Sequence, residues 1–249
     1  MNEAGATIVA GDVREASRPI TRGAMLYDAS LGGHADDRWF DRDRWGERGA
    51  SERQAGGRGT VVFLRDDARR WVLRHYRRGG AVARLLDDRY LYTGGDRTRS
   101  FREWRLLREL SMLGLPAPRP VAARYRRHGI FYRADLLTVE LPSRLTLARA
   151  LAAGALPSER WAEIGRCIGR FHAHGVRHAD LNAHNVVLGH AREVYLLDFD
   201  RGRIETRGPW EDAVLARLER SLVKVTRELP AGRFGGEQWQ LLADACRRA

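Results

Sequence analysis

The stretch His178-Ala179-Asp180-Leu181-Asn182-Ala183-His184-Asn185 is followed, thirteen residues after its last member, by Asp198-Phe199-Asp200 at the end of a strand-like apolar run. That spacing suits the transfer of a phosphoryl group. A hydroxyl attacking the γ-phosphate of ATP must be oriented and relieved of its proton, the task of a carboxylate on a short loop, here Asp180. Magnesium bridging the phosphate oxygens takes hard oxygen ligands, here Asn185 and Asp198. Val186-Val187-Leu188, a turn at Gly189-His190 and the run Val194 to Leu197 predict a hairpin. Such a hairpin returns Asp198 to the end where Asn185 stands.

The loop is similar to the protein-kinase pattern H-x-D-L-x-x-x-N, and Asp198-Phe199-Asp200 stands where that superfamily has Asp-Phe-Gly. Zinc is the rival chemistry, because His172, His174, His178 and His184 crowd the same stretch. Zinc gives no reason, however, for Asp180, Asn185 and Asp198 to sit at this spacing. His172 and His174 are expected to end a helix, where a cation or a hydrogen bond to the last carbonyls is favourable, and His178 to brace the loop.

A chain of 249 residues suffices for one large or two small domains with a real core. No stretch approaches eighteen apolar residues, and the first residues lack a basic-then-apolar signal pattern, so a soluble or peripheral, non-exported protein is expected. Cys167 and Cys246 are the only cysteines, which argues against a disulfide framework and for a reducing cytoplasm. The net charge of +12 implies an anionic partner beyond ATP. The arginines are scattered through every segment without an RNA-recognition or helix-turn-helix signature, so no nucleic acid is expected. A phosphorylated lipid or an anionic membrane face accounts equally well for the charge. Lys224 is the only lysine.

Residues 1 to about 55 are polar and Gly-rich and read as loops with one short strand, anchored by Trp39, Phe40 and Trp45. Thr60 to Leu64 and Arg70 to Tyr76, around a turn at Asp66-Asp67, predict a hairpin. A helix over about Ser100 to Leu113 follows, stopped by Gly114 and the segment Pro116 to Pro120. Val121 to Tyr125 and Gly129 to Glu140 return as strands. Beyond Pro142 the pattern is helical: Ser158 caps a helix with Trp161, Ile164, Ile168 and Phe171 on one face, closed by Gly175. Trp210 to about Glu228 and Gln238 onward read as two more helices. The fold class is therefore α+β, with a strand-rich N-terminal nucleotide-binding lobe (1–141) and a helical catalytic lobe (142–249).

The first lobe must then hold nucleotide phosphates. Gly56-Gly57-Arg58-Gly59 precedes the strand at Thr60, and backbone N–H groups at Gly57 and Gly59 approach phosphate without Cβ interference. Protein kinases use a third-strand lysine held by a helix glutamate. Here Trp71-Val72-Leu73-Arg74 occupies that place, and Arg74 carries the charge on a planar fork instead of an ammonium. At about 100° per residue, Trp104, Leu106, Leu107, Leu110 and Leu113 form one helix face with Glu103 near its middle. A carboxylate inside an apolar face needs a cationic partner, which pairs Glu103 with Arg74. Glu109 falls on the outer face with Arg102 and Arg105.

Gly56 to Gly59, Leu73-Arg-His-Tyr-Arg-Arg-Gly-Gly80, Arg99 with Glu103, Leu115-Pro-Ala-Pro118, Asp135-Leu-Leu137, His178 to Asn185 and Asp198 to Asp200 together resemble the 3-deoxy-D-manno-octulosonic acid (Kdo) kinase family. These are lipopolysaccharide kinases of Gram-negative bacteria within the protein-kinase-like superfamily. The similarity runs from about Tyr27 to Lys224. The resemblance implies a two-lobed protein-kinase-like fold and phosphorylation, using ATP and magnesium, of the 4-hydroxyl of Kdo on Kdo-lipid A. It also implies a peripheral enzyme on the anionic cytoplasmic face of the inner membrane, with no protein partner. Carried over by residue, Asp180 is the catalytic base, Asn185 and Asp198 bind metal, and Gly57, Gly59, Arg74 and Glu103 serve the nucleotide. This sequence departs from the wider kinase pattern at Arg74 and Asp200. It also has no Ala-Pro-Glu after Asp198, which argues against a protein substrate. Kinases of heptose or another lipid-linked sugar or small molecule, and a non-catalytic kinase-like binding module, are the competing readings.

Overall fold

The computed structural model describes residues 12–31, 35–54, 60–66, 68–77, 88–190 and 192–249. It divides into two compact units, Ile8–Gly114 with Pro118–Leu141 and Pro142–Ala249 with Leu115–Ala117.

The first unit is one antiparallel sheet with a helix packed on it. Its strands are β1 (Glu15–Ile20), β2 (Gly23–Asp28), β3 (Ala50–Gln54), β4 (Thr60–Arg65), β5 (Arg70–His75), β6 (Tyr90–Leu91), β7 (Pro120–His128) and β8 (Phe131–Val139). Their order is β1-β2-β7-β8-β5-β4-β3, with β6 also on β8. Where loops and one short strand were expected before residue 55, the structure builds β1, β2 and β3. The reason is tertiary. β1 is an edge strand with mostly exposed side chains and carries no alternation to read, and it is held by six residue pairs to β2, which β7 holds in turn. Helix α1 (Arg99–Met112) packs on β7 and β8, burying Phe101, Trp104, Leu107 and Leu110. Met25, Leu64, Trp71, Leu73, Val121 and Leu137 form the core under the sheet, capped by Trp39 and Phe40.

In the second unit, β9 (Ser143–Thr146), α2 (Leu147–Ala153), α3 (Ser158–Ala173), β10 (Val176–Arg177), β11 (Val186–Gly189), β12 (Val194–Leu196), β13 (Arg203–Ile204), α4 (Trp210–Thr226) and α5 (Gly236–Arg247) follow in order. β12, β11 and β9 form one small sheet, and β10 and β13 another. β9 and α2 are additions to the sequence reading; Thr146 caps α2 by accepting the Arg149 N–H at 3.3 Å. Pro157, not Ser158, occupies the cap position of α3, and Ser158 is its first helical residue. Trp161, Ile164, Ile168 and Phe171 are all buried, each worth roughly 1.5–3 kcal/mol. Gly165 and Gly169 let α5 approach at backbone distance: a Cβ on Gly165 would lie 2.1 Å from the Leu242 carbonyl oxygen, and one on Gly169 2.4 Å from that of Cys246. Gly175 closes α3 with φ of +69°.

Candidate active site

The loop after β10 is tied down by His178, which is buried. Its Nδ1 accepts the Asp180 N–H at 3.1 Å, and its Nε2 donates to the Leu197 carbonyl at 2.8 Å. A ring accepting on one nitrogen and donating on the other is neutral. Burial lowers its pKa further, against the opposing pull of the Leu197 carbonyl and of Asp198 and Asp180. The ring packs on Phe199 at 4.8 Å between centroids, and Phe199 stacks on Phe171 of α3 at 5.5 Å. His178 and Phe199 thus seat the loop and the Asp198–Asp200 turn on one core.

Within the loop the Asp180 carbonyl accepts two side-chain amides, Asn182 Nδ2 and Asn185 Nδ2, both at 2.9 Å. The second bond fixes the Asn185 amide so that its oxygen, not its nitrogen, remains for a cation. β11 and β12 pair with Val186 opposite Leu196, and the Leu197 N–H donates to the Asn185 carbonyl at 2.8 Å. Asn185 and Asp198 therefore stand at one end of the hairpin. Asp198 has φ of +62°, a conformation uncommon outside glycine, and the seated Phe199 holds it there. A half-buried amide oxygen and a carboxylate form a hard oxygen donor set that fits magnesium.

The Asp180 side chain is about half exposed, at 51 %. Arg217 of α4, itself 49 % exposed, reaches it: Nε donates to Oδ1 at 2.8 Å and Nη2 contacts the same oxygen. One turn along α4, the Ser221 hydroxyl accepts the Ala183 N–H at 3.1 Å. The sequence reading missed Arg217. Its spacing of four from Ser221 on a helix is the one available signal, and among so many arginines it did not stand out.

In the first unit, β5 carries Arg74 and α1 carries Glu103. Arg74 Nη2 forms an ion pair with Glu103 Oε2, and the Tyr76 hydroxyl donates to the same carboxylate oxygen at 2.6 Å. Glu103 is only 3 % exposed, whereas the Arg74 side chain keeps 24 % exposure. The guanidinium also lies 4.7 Å from the centre of the Tyr76 ring. Burial and the Glu103 charge push the Tyr76 hydroxyl well above its ordinary pKa, so it stays protonated and donates.

The neighbouring His75 bonds through Nδ1 to Asp135 Oδ1 at 2.7 Å, and Arg124 Nε donates to Asp135 Oδ2 at 2.7 Å. The Asp135 hydrogen bond raises the His75 pKa against the cost of burial. Burial alone would raise Asp135, but His75 and Arg124 outweigh it and hold the carboxyl low. Arg74, His75 and Tyr76 are thus each locked to α1 or β8. Gly57 and Gly59 lie outside the described residues, as do Arg78 and Gly79-Gly80.

Comparison with known proteins decides the family. The model of the lipopolysaccharide kinase (Kdo/WaaP) family matches residues 42–245. The chain belongs to this family. It is 44% identical over 226 residues to a 3-deoxy-D-manno-octulosonic acid kinase of Xylella fastidiosa, covering 89% of this chain and 90% of that one. A protein of the same name from Xanthomonas campestris pv. campestris is also 44% identical, over 88% and 89% of the two chains. One from Stenotrophomonas maltophilia is 43% identical over 227 residues, 89% and 90% of the two chains. The mixed fold, with a large antiparallel sheet in one unit and most of the helices in the other, is the protein-kinase-like architecture the loop motif implied.

Proposed function

We propose that this family member transfers the γ-phosphoryl group of ATP to the 4-hydroxyl of Kdo carried on lipid A. The observation that carries the reading is the Asp180 loop, braced by His178 and aligned with Asn185 and Asp198, in a chain of this family. Asp180 takes the acceptor proton as the 4-oxygen forms its bond to phosphorus and the bond from phosphorus to the bridging β-phosphate oxygen breaks. Asn185 and Asp198 would hold magnesium, which supplies neutralisation of the phosphate charge. Arg74, kept in place by Glu103 and Tyr76, lends its exposed edge to the nucleotide phosphates.

The test is incubation of the purified protein with ATP, magnesium and Kdo-lipid A, followed by mass analysis of the sugar. A gain of one phosphate on Kdo is expected, slowed by about two to four powers of ten in Asp180→Asn; an unmodified sugar with the wild type would refute the assignment.

The protein acts, on this reading, as a peripheral enzyme on the anionic cytoplasmic face of the inner membrane. Support comes from the net charge of +12 and from the β7–β8 turn. There Ile130 is 66% exposed beside the exposed Leu91, next to a shallow depression lined by Arg22, Tyr92, Arg127 and His128. An apolar tip ringed by cations suits a bilayer interface. No helix among the described residues is long and apolar enough to cross a membrane. Co-sedimentation with anionic and neutral liposomes across a salt series tests the placement. Binding to anionic vesicles that weakens with salt and with Ile130→Asp is expected, and equal binding to both vesicles counts against it.

A further inference from the structure

The contact between Arg217 and Asp180 has no place in the chemistry derived so far. An arginine on the carboxylate has no part in taking up the acceptor proton. Both donated contacts fall on Oδ1, through Nε and Nη2, which leaves Oδ2 to meet an acceptor hydroxyl. With each side chain about half exposed, the pair is open to solvent and can exchange partners. Arg217 also sits on a firm support, since α4 buries Val214, Leu215, Leu218 and Leu222 and is bonded to the loop through Ser221.

We infer that Arg217 binds the carboxylate of the acceptor sugar and so selects an acidic sugar over a neutral one. The inference rests on the Kdo reading above and deepens it. In a 3-deoxy-2-octulosonic acid the carboxylate is borne by C2, and C2 is separated from the hydroxyl-bearing C4 by the single deoxy carbon. A sugar whose 4-hydroxyl meets Asp180 therefore brings its carboxylate close to the same guanidinium. The planar fork can hold that carboxylate through two parallel N–H bonds, as a point ammonium cannot. Drawing the fork toward the substrate loosens its hold on Oδ1 as the acceptor is seated. Neutral heptose lacks the group that makes this exchange.

The experiment measures kcat and KM with two acceptors, Kdo-lipid A and its Kdo carboxamide, for the wild type, Arg217→Ala and Arg217→Lys. For the wild type, kcat/KM should favour the carboxylate by roughly ten- to a hundred-fold, the span of a charge-assisted hydrogen bond. Arg217→Ala should lose that preference, chiefly through acceptor KM, while KM for ATP stays unchanged. Arg217→Lys should retain part of it. Equal discrimination by wild type and Arg217→Ala overturns the inference, and so does an equal loss on both acceptors, which marks a merely structural arginine. Wild-type turnover of a neutral heptose acceptor but not of Kdo-lipid A would refute the Kdo reading itself, and the carboxylate anchor with it.

Discussion

Neutralising Glu103 should rescue the stability of a protein that has lost Arg74, without rescuing its activity. Arg74→Met leaves a carboxylate that is 3% exposed without its ion-pair partner on β5, still accepting from the Tyr76 hydroxyl. Removing one member of such a buried pair costs about 3–5 kcal/mol, because the other charge stays desolvated. Glu103→Gln costs less, about 1–2 kcal/mol. The glutamine oxygen still accepts from Tyr76, and Arg74, at 24% exposure, partly rehydrates. In Arg74→Met/Glu103→Gln neither charge remains, so the double variant should be more stable than Arg74→Met by about 1–3 kcal/mol. Urea unfolding reads this directly. At a slope near 2 kcal/mol/M, the midpoint of the double variant should lie roughly 0.5–1.5 M above that of Arg74→Met. KM for ATP should be impaired equally in both, since the cation facing the phosphates is gone from each. A double variant less stable than Arg74→Met would refute the buried-pair reasoning, and an ordinary KM for ATP in Arg74→Met would refute the phosphate role.

Asp180→Asn should lower turnover by about two to four powers of ten with ATP binding intact, as read in single-turnover transfer and a nucleotide titration. Asp198→Gly removes a metal ligand from a left-handed backbone position, so the variant should be inactive yet more stable by about 0.5–1 kcal/mol in thermal unfolding. Burial pulls His172 down to about 4, against the attraction of Glu211. Because the unfolded ring titrates near 6.5, its contribution is complete above that pH and is lost as pH falls toward about 4, by roughly 3 kcal/mol. His172→Gln should flatten that acid limb in unfolding measured from pH 7 to 4. Gly165→Ala drives a methyl into the Leu242 carbonyl and should cost at least about 1–3 kcal/mol, which a denaturation midpoint will show.

The residues that could be read ahead of the structure were those whose physics is local. Glu103 stood out because a carboxylate in the apolar stripe of a helix demands a cation, and the ion pair with Arg74 is there. The β11–β12 hairpin was written in its two apolar runs and the turn between them, and it brings Asn185 beside the residue that precedes Asp198. Arg217 was not legible, because its meaning depends on how α4 packs against a loop thirty-seven residues earlier. The sequence placed His172 at a helix end, where a cation or a hydrogen bond to the last carbonyls is favourable, and left open which of the two it is. Burial against Trp210 and Cys246 makes it neutral, a property of tertiary packing that its position in the helix does not carry. β1 failed for the same reason, an edge strand taking its structure from β2, which is itself held by β7.

The clamp on Arg74 has a consequence for how the protein can be profiled chemically. Acyl-phosphate nucleotide probes report kinase occupancy by acylating an amine near the bound phosphates, and here Lys224, exposed on α4, is the only lysine. A guanidinium that never deprotonates offers such reagents no nucleophile. Inventories built on amine capture will therefore pass over this kinase even at full occupancy. Dicarbonyl reagents that condense with guanidinium groups are the suitable reporters, and ATP should shield Arg74 from them. The lone lysine becomes an asset in turn, an address for a single fluorophore on a side chain remote in role from the nucleotide.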